Sequence, residues 1–81
     1  MIRTFAQQDL IDLAANAHIP IINALTDDFH PCQALTDMFT MYEYAHKLEG
    51  LKLAYLGDGA SNMANSLMLA SQLAGVNMVI A

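Results

Sequence analysis

Residues 30–33, His-Pro-Cys-Gln, set two hydrogen-bonding side chains at the mouth of a helix, because proline is best tolerated at the first helical position. The first backbone N–H groups of a helix have no partner within it, so this mouth suits an anion or a polarised carbonyl. The structural alternative is a cap in which His30 and Gln33 occupy the N-cap and N3 positions and satisfy each other's backbone donors; taken alone, the motif favours the cap. Arg3 is the only arginine and ends the first expected strand, at the edge where open parallel sheets bind their ligands. His30 follows the next strand and should emerge on that same edge. An arginine and a histidine facing a helix N-terminus form a donor cluster for phosphate and for charge developing on a carbonyl oxygen. An ion pair of Arg3 with Asp27 or Asp28 fits the sequence equally well.

A second polar stretch, Gly57-Asp58-Gly59-Ala60-Ser61-Asn62, lies between a strand and a helix and resembles half of a dinucleotide fingerprint, with Asn62 in place of the third glycine. Ser61 and Asn62 suit plain N-caps, and the amide of Asn62 could also hold a carboxylate or an ammonium at the same edge. His18, His30, Cys32 and His46 show no CxxC or HExxH spacing, so no metal site is expected. His18 and His46 suit helix C-termini, and Cys32 a small buried position. No Ser-His-Asp arrangement supports a covalent acyl-enzyme.

The elements that must position these residues follow from periodicity. Residues 1–5 read as the exit of a strand. Over residues 7–17 the apolar positions Leu10, Leu13, Ala14 and Ala17 recur at helical spacing, with Asp9 suiting the first turn. Residues 19–24 form a β-branched run interrupted by Pro20, and residues 25–29 a polar loop. Leu35, Met38, Phe39 and Tyr42 mark the stripe of a long helix over residues 31–47, stopped by Glu49-Gly50. A strand over 51–56, a helix from Ser61 or Asn62 to Ala74 stopped by Gly75, and a strand over 76–81 complete the chain. The six methionines, Met38, Met41 and Met63 among them, are expected to fill core gaps. Strands alternating with helices predict an α/β fold with a parallel sheet, and the long helix could lie within one sheet unit or bridge two.

Composition sets the outer limits. The chain has 81 residues, 56% of them hydrophobic and 14% charged, with a net charge of −5. That bounds it to one small domain's worth of chain. With three basic residues against eight acidic ones it has no basic stripe for a nucleic-acid backbone or an anionic membrane. The single cysteine excludes an internal disulfide, and no apolar run reaches the ~18 residues of a membrane span. The chain therefore reads as soluble, compatible with a reducing, cytoplasmic compartment, and cut at both ends.

Taken together, several segments resemble the aspartate/ornithine carbamoyltransferase superfamily. They are Ile2-Arg3-Thr4-Phe5, Ile22-Asn23-Ala24-Leu25-Thr26-Asp27, Phe29-His30-Pro31-Cys32-Gln33-Ala34-Leu35-Thr36-Asp37, and Tyr55-Leu56-Gly57-Asp58-Gly59 with Asn62-Met63-Ala64-Asn65-Ser66. The resemblance runs without a gap over the whole chain, and the Gly-Asp-Gly and Asn-Met-Ala-Asn-Ser segments are closer to the ornithine branch. Thr36 stands where the family more often has alanine, a departure that touches no functional residue.

The resemblance implies two Rossmann-like domains meeting within this chain. Residues 1–47 would be the C-terminal part of a carbamoyl-phosphate-binding domain including the interdomain helix, and residues 48–81 the start of an ornithine-binding domain. It implies that Arg3 and His30 contact the carbonyl and phosphate oxygens of carbamoyl phosphate and serve catalysis, that Gln33 binds the carbamoyl amide, and that Asn62 positions L-ornithine. It further implies carbamoyl transfer to the δ-amine to give L-citrulline and phosphate, no cofactor, and a homotrimeric assembly. The family's Ser-Thr-Arg-Thr type phosphate loop, its Asp and Ser-Met-Gly ornithine loop and its His-Cys-Leu-Pro segment have no counterpart here, so the chain alone is expected to be inactive. Alternatives are a related enzyme acting on putrescine or an acylated ornithine, and a non-catalytic α/β interaction module.

Overall fold

The computed structural model describes residues 1–81. Its elements are β1 (Ile2–Arg3), α1 (Gln7–Asn16), β2 (Asn23–Leu25), α2 (Pro31–Ala45), β3 (Lys52–Tyr55), α3 (Asn62–Ala74) and β4 (Asn77–Ile80). The expected α/β alternation with parallel strands is therefore present. The strands form two separate parallel pairs, β1 with β2 and β3 with β4.

Differences from expectation are local and have physical causes. The strand expected over residues 19–24 is realised only as β2, because Pro20 has no N–H and the first pairing is Ile2 N–H to the Ile22 carbonyl at 2.9 Å. The ladder then shifts register, Ile2 standing opposite Asn23 and Arg3 opposite Leu25. Helix α2 ends at Ala45 rather than 47, since His46 turns into the left-handed region (φ 58°) and its N–H bonds the Tyr42 carbonyl at 2.7 Å. Helix α3 has the expected ends: Ser61 Oγ accepts from Ala64 N–H at 3.1 Å, and Gly75 closes it at φ 74°. A Cβ at Gly75 would lie 3.1 Å from Glu49 Cγ, so a side chain there is strained by both conformation and space.

The core lies between α2, α3 and the β3–β4 pair. Ala34, Met38, Leu67 and Val76 are buried, with Met41, Leu48, Leu53, Tyr55, Met63 and Ala70 packed around them. In β3, half-buried Leu53 and Tyr55 alternate with exposed Lys52 and Ala54, the period-two pattern of a strand packed on one face. The α2 stripe differs from the sequence expectation. Of its four residues only Met38 is buried, whereas Leu35, Phe39 and Tyr42 are exposed. The cause is that α3 meets α2 along the Ala34–Met38–Met41 row, so the larger neighbouring row faces outward. Helix α1 buries no residue, and Leu10 is only half-buried. No helix is long and apolar enough to cross a membrane.

With so few fully buried apolar side chains, each carries a large share of the stability. Leu67→Ala is expected to cost about 3 kcal/mol and to lower the urea midpoint of the chain sharply. Phe39→Ser on the exposed row should change it by about 0.5 kcal/mol or less. Equilibrium denaturation followed by circular dichroism checks both.

Candidate functional site

Strand β2 ends at Leu25 and α2 begins at Pro31, so the chain must reverse within residues 26–30. Thr26, completely buried, makes that possible. Its N–H bonds the Phe29 carbonyl at 2.8 Å, and its Oγ1 accepts from Phe29 N–H at 3.1 Å while donating to Gln7 Oε1 at 2.6 Å. One threonine thereby closes the turn and anchors the start of α1. On the other side, Asp27 N–H bonds the Phe5 carbonyl at 2.6 Å, tying the turn to the segment after β1.

The first turns of α3 hold the same segment from across the molecule. Asn62 Nδ2 donates to the Thr26 carbonyl at 2.9 Å, Asn65 Nδ2 to the Asp28 carbonyl at 3.0 Å, and Ser66 Oγ accepts from His30 N–H at 2.7 Å. Residues 62, 65 and 66 share one face of a helix, spaced i, i+3, i+4. Three side chains of α3 thus hold three successive alternate residues of the turn by their backbone.

This arrangement settles the local alternatives at His30. It is the N-cap residue of α2, but no side chain caps the first turn, and Gln33 Nε2 instead donates to Asp37 Oδ1 at 2.9 Å along its own helix. The capping-box reading is therefore corrected: the N-cap N–H finds its acceptor in Ser66, 36 residues away. His30 Nδ1 is buried and has no hydrogen-bond partner within the chain. The N–H groups of Cys32 and Gln33 and the imidazole Nδ1 are thus left without partners within the chain.

Arg3 is exposed at the C-terminal end of β1, opposite Leu25, so β1–β2 pairing brings it to the edge from which the 26–30 turn departs. Asp27 and Asp28 are engaged through their backbones and form no ion pair with Arg3, which removes that alternative. Asn62 is brought to the same turn. Gln33, one turn into α2, is exposed. The remaining candidates go elsewhere: Cys32 Sγ donates to the Asn23 carbonyl at 3.4 Å, His46 lies at the far end of the 15-residue α2, and His18 follows α1. No three His, Cys, Asp or Glu side chains converge.

The largest concavity begins beside the 26–30 turn. A groove of about 520 Å³ runs between α2 and α3, lined by Leu35, Met38, Leu48, Leu69 and Leu73 among others, and carries no charged residue. It offers nothing to hold an anion. Phe29, Pro31 and Ser66 also line it, so one end of the groove adjoins the turn that bears His30.

A family model described as "Aspartate/ornithine carbamoyltransferase, carbamoyl-P binding domain" matches residues 1–43. The chain belongs to the aspartate/ornithine carbamoyltransferase family. It is 57% identical over 79 residues to the ornithine carbamoyltransferase of Mycolicibacterium gilvum, covering 98% of this chain and 26% of that protein. To the ornithine carbamoyltransferase of Anoxybacillus flavithermus it is 57% identical over 81 residues, 100% of this chain and 26% of that protein. The crystal structure of the Gloeobacter violaceus ornithine carbamoyltransferase superposes with a TM-score of 0.93 at 51% identity, covering 98% of this chain and 27% of that one. The Pyrococcus furiosus ornithine carbamoyltransferase gives 0.93 at 44% identity, covering 98% and 25%. The chain spans about a quarter of the length of these carbamoyltransferase relatives.

Thr26, Asn65 and Ser66 are the residues that sequence reasoning did not single out. The signal for two of them was present: Asn62, Asn65 and Ser66 form a polar patch at helical spacing at the head of an otherwise apolar helix. Thr26→Val keeps the shape but removes the acceptor of Phe29 N–H, at an expected cost of about 2 kcal/mol. Amide hydrogen exchange at Phe29 and Asp27, faster in the variant than in the parent chain, checks it.

Proposed function

We propose that this chain carries part of the site at which a carbamoyl group passes from carbamoyl phosphate to the δ-amine of L-ornithine, giving L-citrulline and phosphate. The observation that carries the reading is His30: an imidazole at an uncapped helix mouth, its buried Nδ1 without an internal partner, on the same sheet edge as the exposed Arg3. The family match over residues 1–43 supports carbamoyl phosphate as the ligand of that edge.

In this reading Arg3 and His30 take the phosphate and carbonyl oxygens. The δ-amine attacks the carbamoyl carbon, a C–N bond forms, and the negative charge gathers on the carbonyl oxygen of a tetrahedral intermediate. The C–O bond to phosphate then breaks, the carbonyl re-forms, and the amine's proton leaves with the departing phosphate oxygen. Such a transfer needs no protein nucleophile, only oriented substrates and donors fixed before charge develops. Gln33 serves the carbamoyl amide: its Nε2 is occupied by Asp37, which leaves Oε1 as the acceptor that a carbamoyl NH₂ requires. Asn62, with one amide hydrogen given to Thr26, keeps Oδ1 for the amino-acid part of ornithine.

The division into residues 1–47 and 48–81, as parts of a carbamoyl-phosphate domain and an ornithine domain, belongs to the same proposal. It is supported by the two separate strand pairs and by the family match ending inside α2. The resemblance extends it to a homotrimeric, cytoplasmic enzyme.

Titration of the ¹⁵N-labelled chain with carbamoyl phosphate is expected to give saturable amide shifts at Arg3, His30 and Gln33. Arg3→Ala and His30→Ala should each weaken the apparent affinity by about tenfold or more, the loss expected of a charge-assisted bond. Uniform, unsaturable shifts would overturn the reading. A colorimetric citrulline assay is expected to show no sustained turnover by the 81-residue chain alone, because the phosphate and ornithine loops of the family have no counterpart in it.

A further inference from the structure

We infer that Ser66 is a positioning residue for His30, setting the orientation of the imidazole through the backbone of the N-cap. The inference rests on the carbamoyl phosphate reading of the site, and begins from a donor that has the wrong partner. The N–H of an N-cap residue is ordinarily satisfied by the side chain three residues on. Here that side chain, Gln33, is turned to Asp37, and His30 N–H donates to Ser66 Oγ at 2.7 Å instead. Ser66 is itself 5% exposed, so the bond is shielded from water that could replace it.

The geometry makes this bond decisive for the side chain. His30 sits at φ −137° and ψ 71°, outside the helical region, at a junction where the backbone has no regular ladder to hold it. Its Nδ1 has no partner within the chain, and Cys32 and Thr36 make their bonds elsewhere, to Asn23 and within α2. The anchored elements at residue 30 are therefore its N–H, held by Ser66, and its carbonyl, which accepts from Ala34 N–H at 3.2 Å as the first bond of α2. The carbonyl places the helix; the N–H fixes the rotation about it and hence the direction of the Cα–Cβ bond.

The same helix that fixes His30 begins with Asn62, the residue read as meeting ornithine, four residues before Ser66. A displacement of α3 thereby reaches the backbone of His30 directly through the Ser66 bond, beside the bonds of Asn62 and Asn65 to the same turn. The site's donor and its acceptor-side residue are held in register by one rigid turn of helix.

The test uses the ¹⁵N-labelled 81-residue chain and three variants. Ser66→Ala removes the acceptor, Ser66→Cys removes most of it at similar volume so that a chain loosened by Ala still leaves a test, and Ser66→Thr keeps the hydroxyl. Ala and Cys are expected to speed amide exchange at His30, to shift the imidazole ¹⁵N resonances, and to raise the dissociation constant for carbamoyl phosphate by about tenfold. Thr should restore all three, which a general loss of packing would not do. A parent chain that binds carbamoyl phosphate, with Ala and Cys binding equally well and His30 resonances unmoved, overturns the positioning role and leaves the site reading intact. A parent chain that does not respond to carbamoyl phosphate, while Ala still moves the imidazole resonances, overturns the site reading and Ser66's role in it.

Discussion

A chain that leaves a two-residue strand pair and must enter a helix five residues later has little secondary structure with which to satisfy its backbone. The hydrogen bonds that α3 extends to the carbonyls of Thr26 and Asp28 and to the N–H of His30 meet that constraint. Unpaired, each such group would cost about 1–3 kcal/mol on burial. The direction of α2 depends on this turn, and with it the meeting of Ala34 and Met38 with Leu67 and Val76.

The balance between apolar and polar contributions explains why the turn matters so much. Apolar burial is non-directional and tolerates sliding, and this chain has few completely buried apolar side chains to oppose it. Short, shielded hydrogen bonds fix geometry to a few tenths of an ångström. A site that works by donors placed in advance needs that kind of constraint more than it needs a large core. The fully buried Thr26 illustrates the point: the most deeply enclosed side chain with a specific partner is a threonine in a turn, not a leucine in a helix.

How much of this was legible in the sequence depends on whether the determining contact is local. The ends of α3 could be read directly, because Ser61 and Gly75 act within their own helix. The alternation of strands and helices, and Arg3 and His30 on one sheet edge, followed from chain order and parallel pairing. The buried row of α2 did not, because Ala34–Met38–Met41 and Leu35–Phe39–Tyr42 are both apolar, and only the position of α3 selects between them. The cap at His30 failed for the same reason. The local partner Gln33 was available, but a residue 36 positions away takes the bond. Family resemblance supplied the proposed roles of Gln33 and Asn62, which residue types alone left open.

The polar edge and the apolar groove meet at Phe29, Pro31 and Ser66 but differ in what they can hold. The groove between α2 and α3 has no charge and few polar groups, so burying it gains from apolar contact alone. Carbamoyl phosphate is small and strongly hydrated and gains nothing there. The mouth of α2, in contrast, offers unpartnered backbone N–H groups and a buried imidazole Nδ1 without a partner, with the exposed guanidinium of Arg3 on the same sheet edge, groups that an anion can satisfy. Both features stand on the same two helices and meet at Phe29, Pro31 and Ser66. The apolar rows therefore set how α2 and α3 lie against each other, and that packing in turn sets how closely Asn62 and Ser66 approach the turn bearing His30. The geometry of the polar edge is in this way governed by contacts that lie outside it.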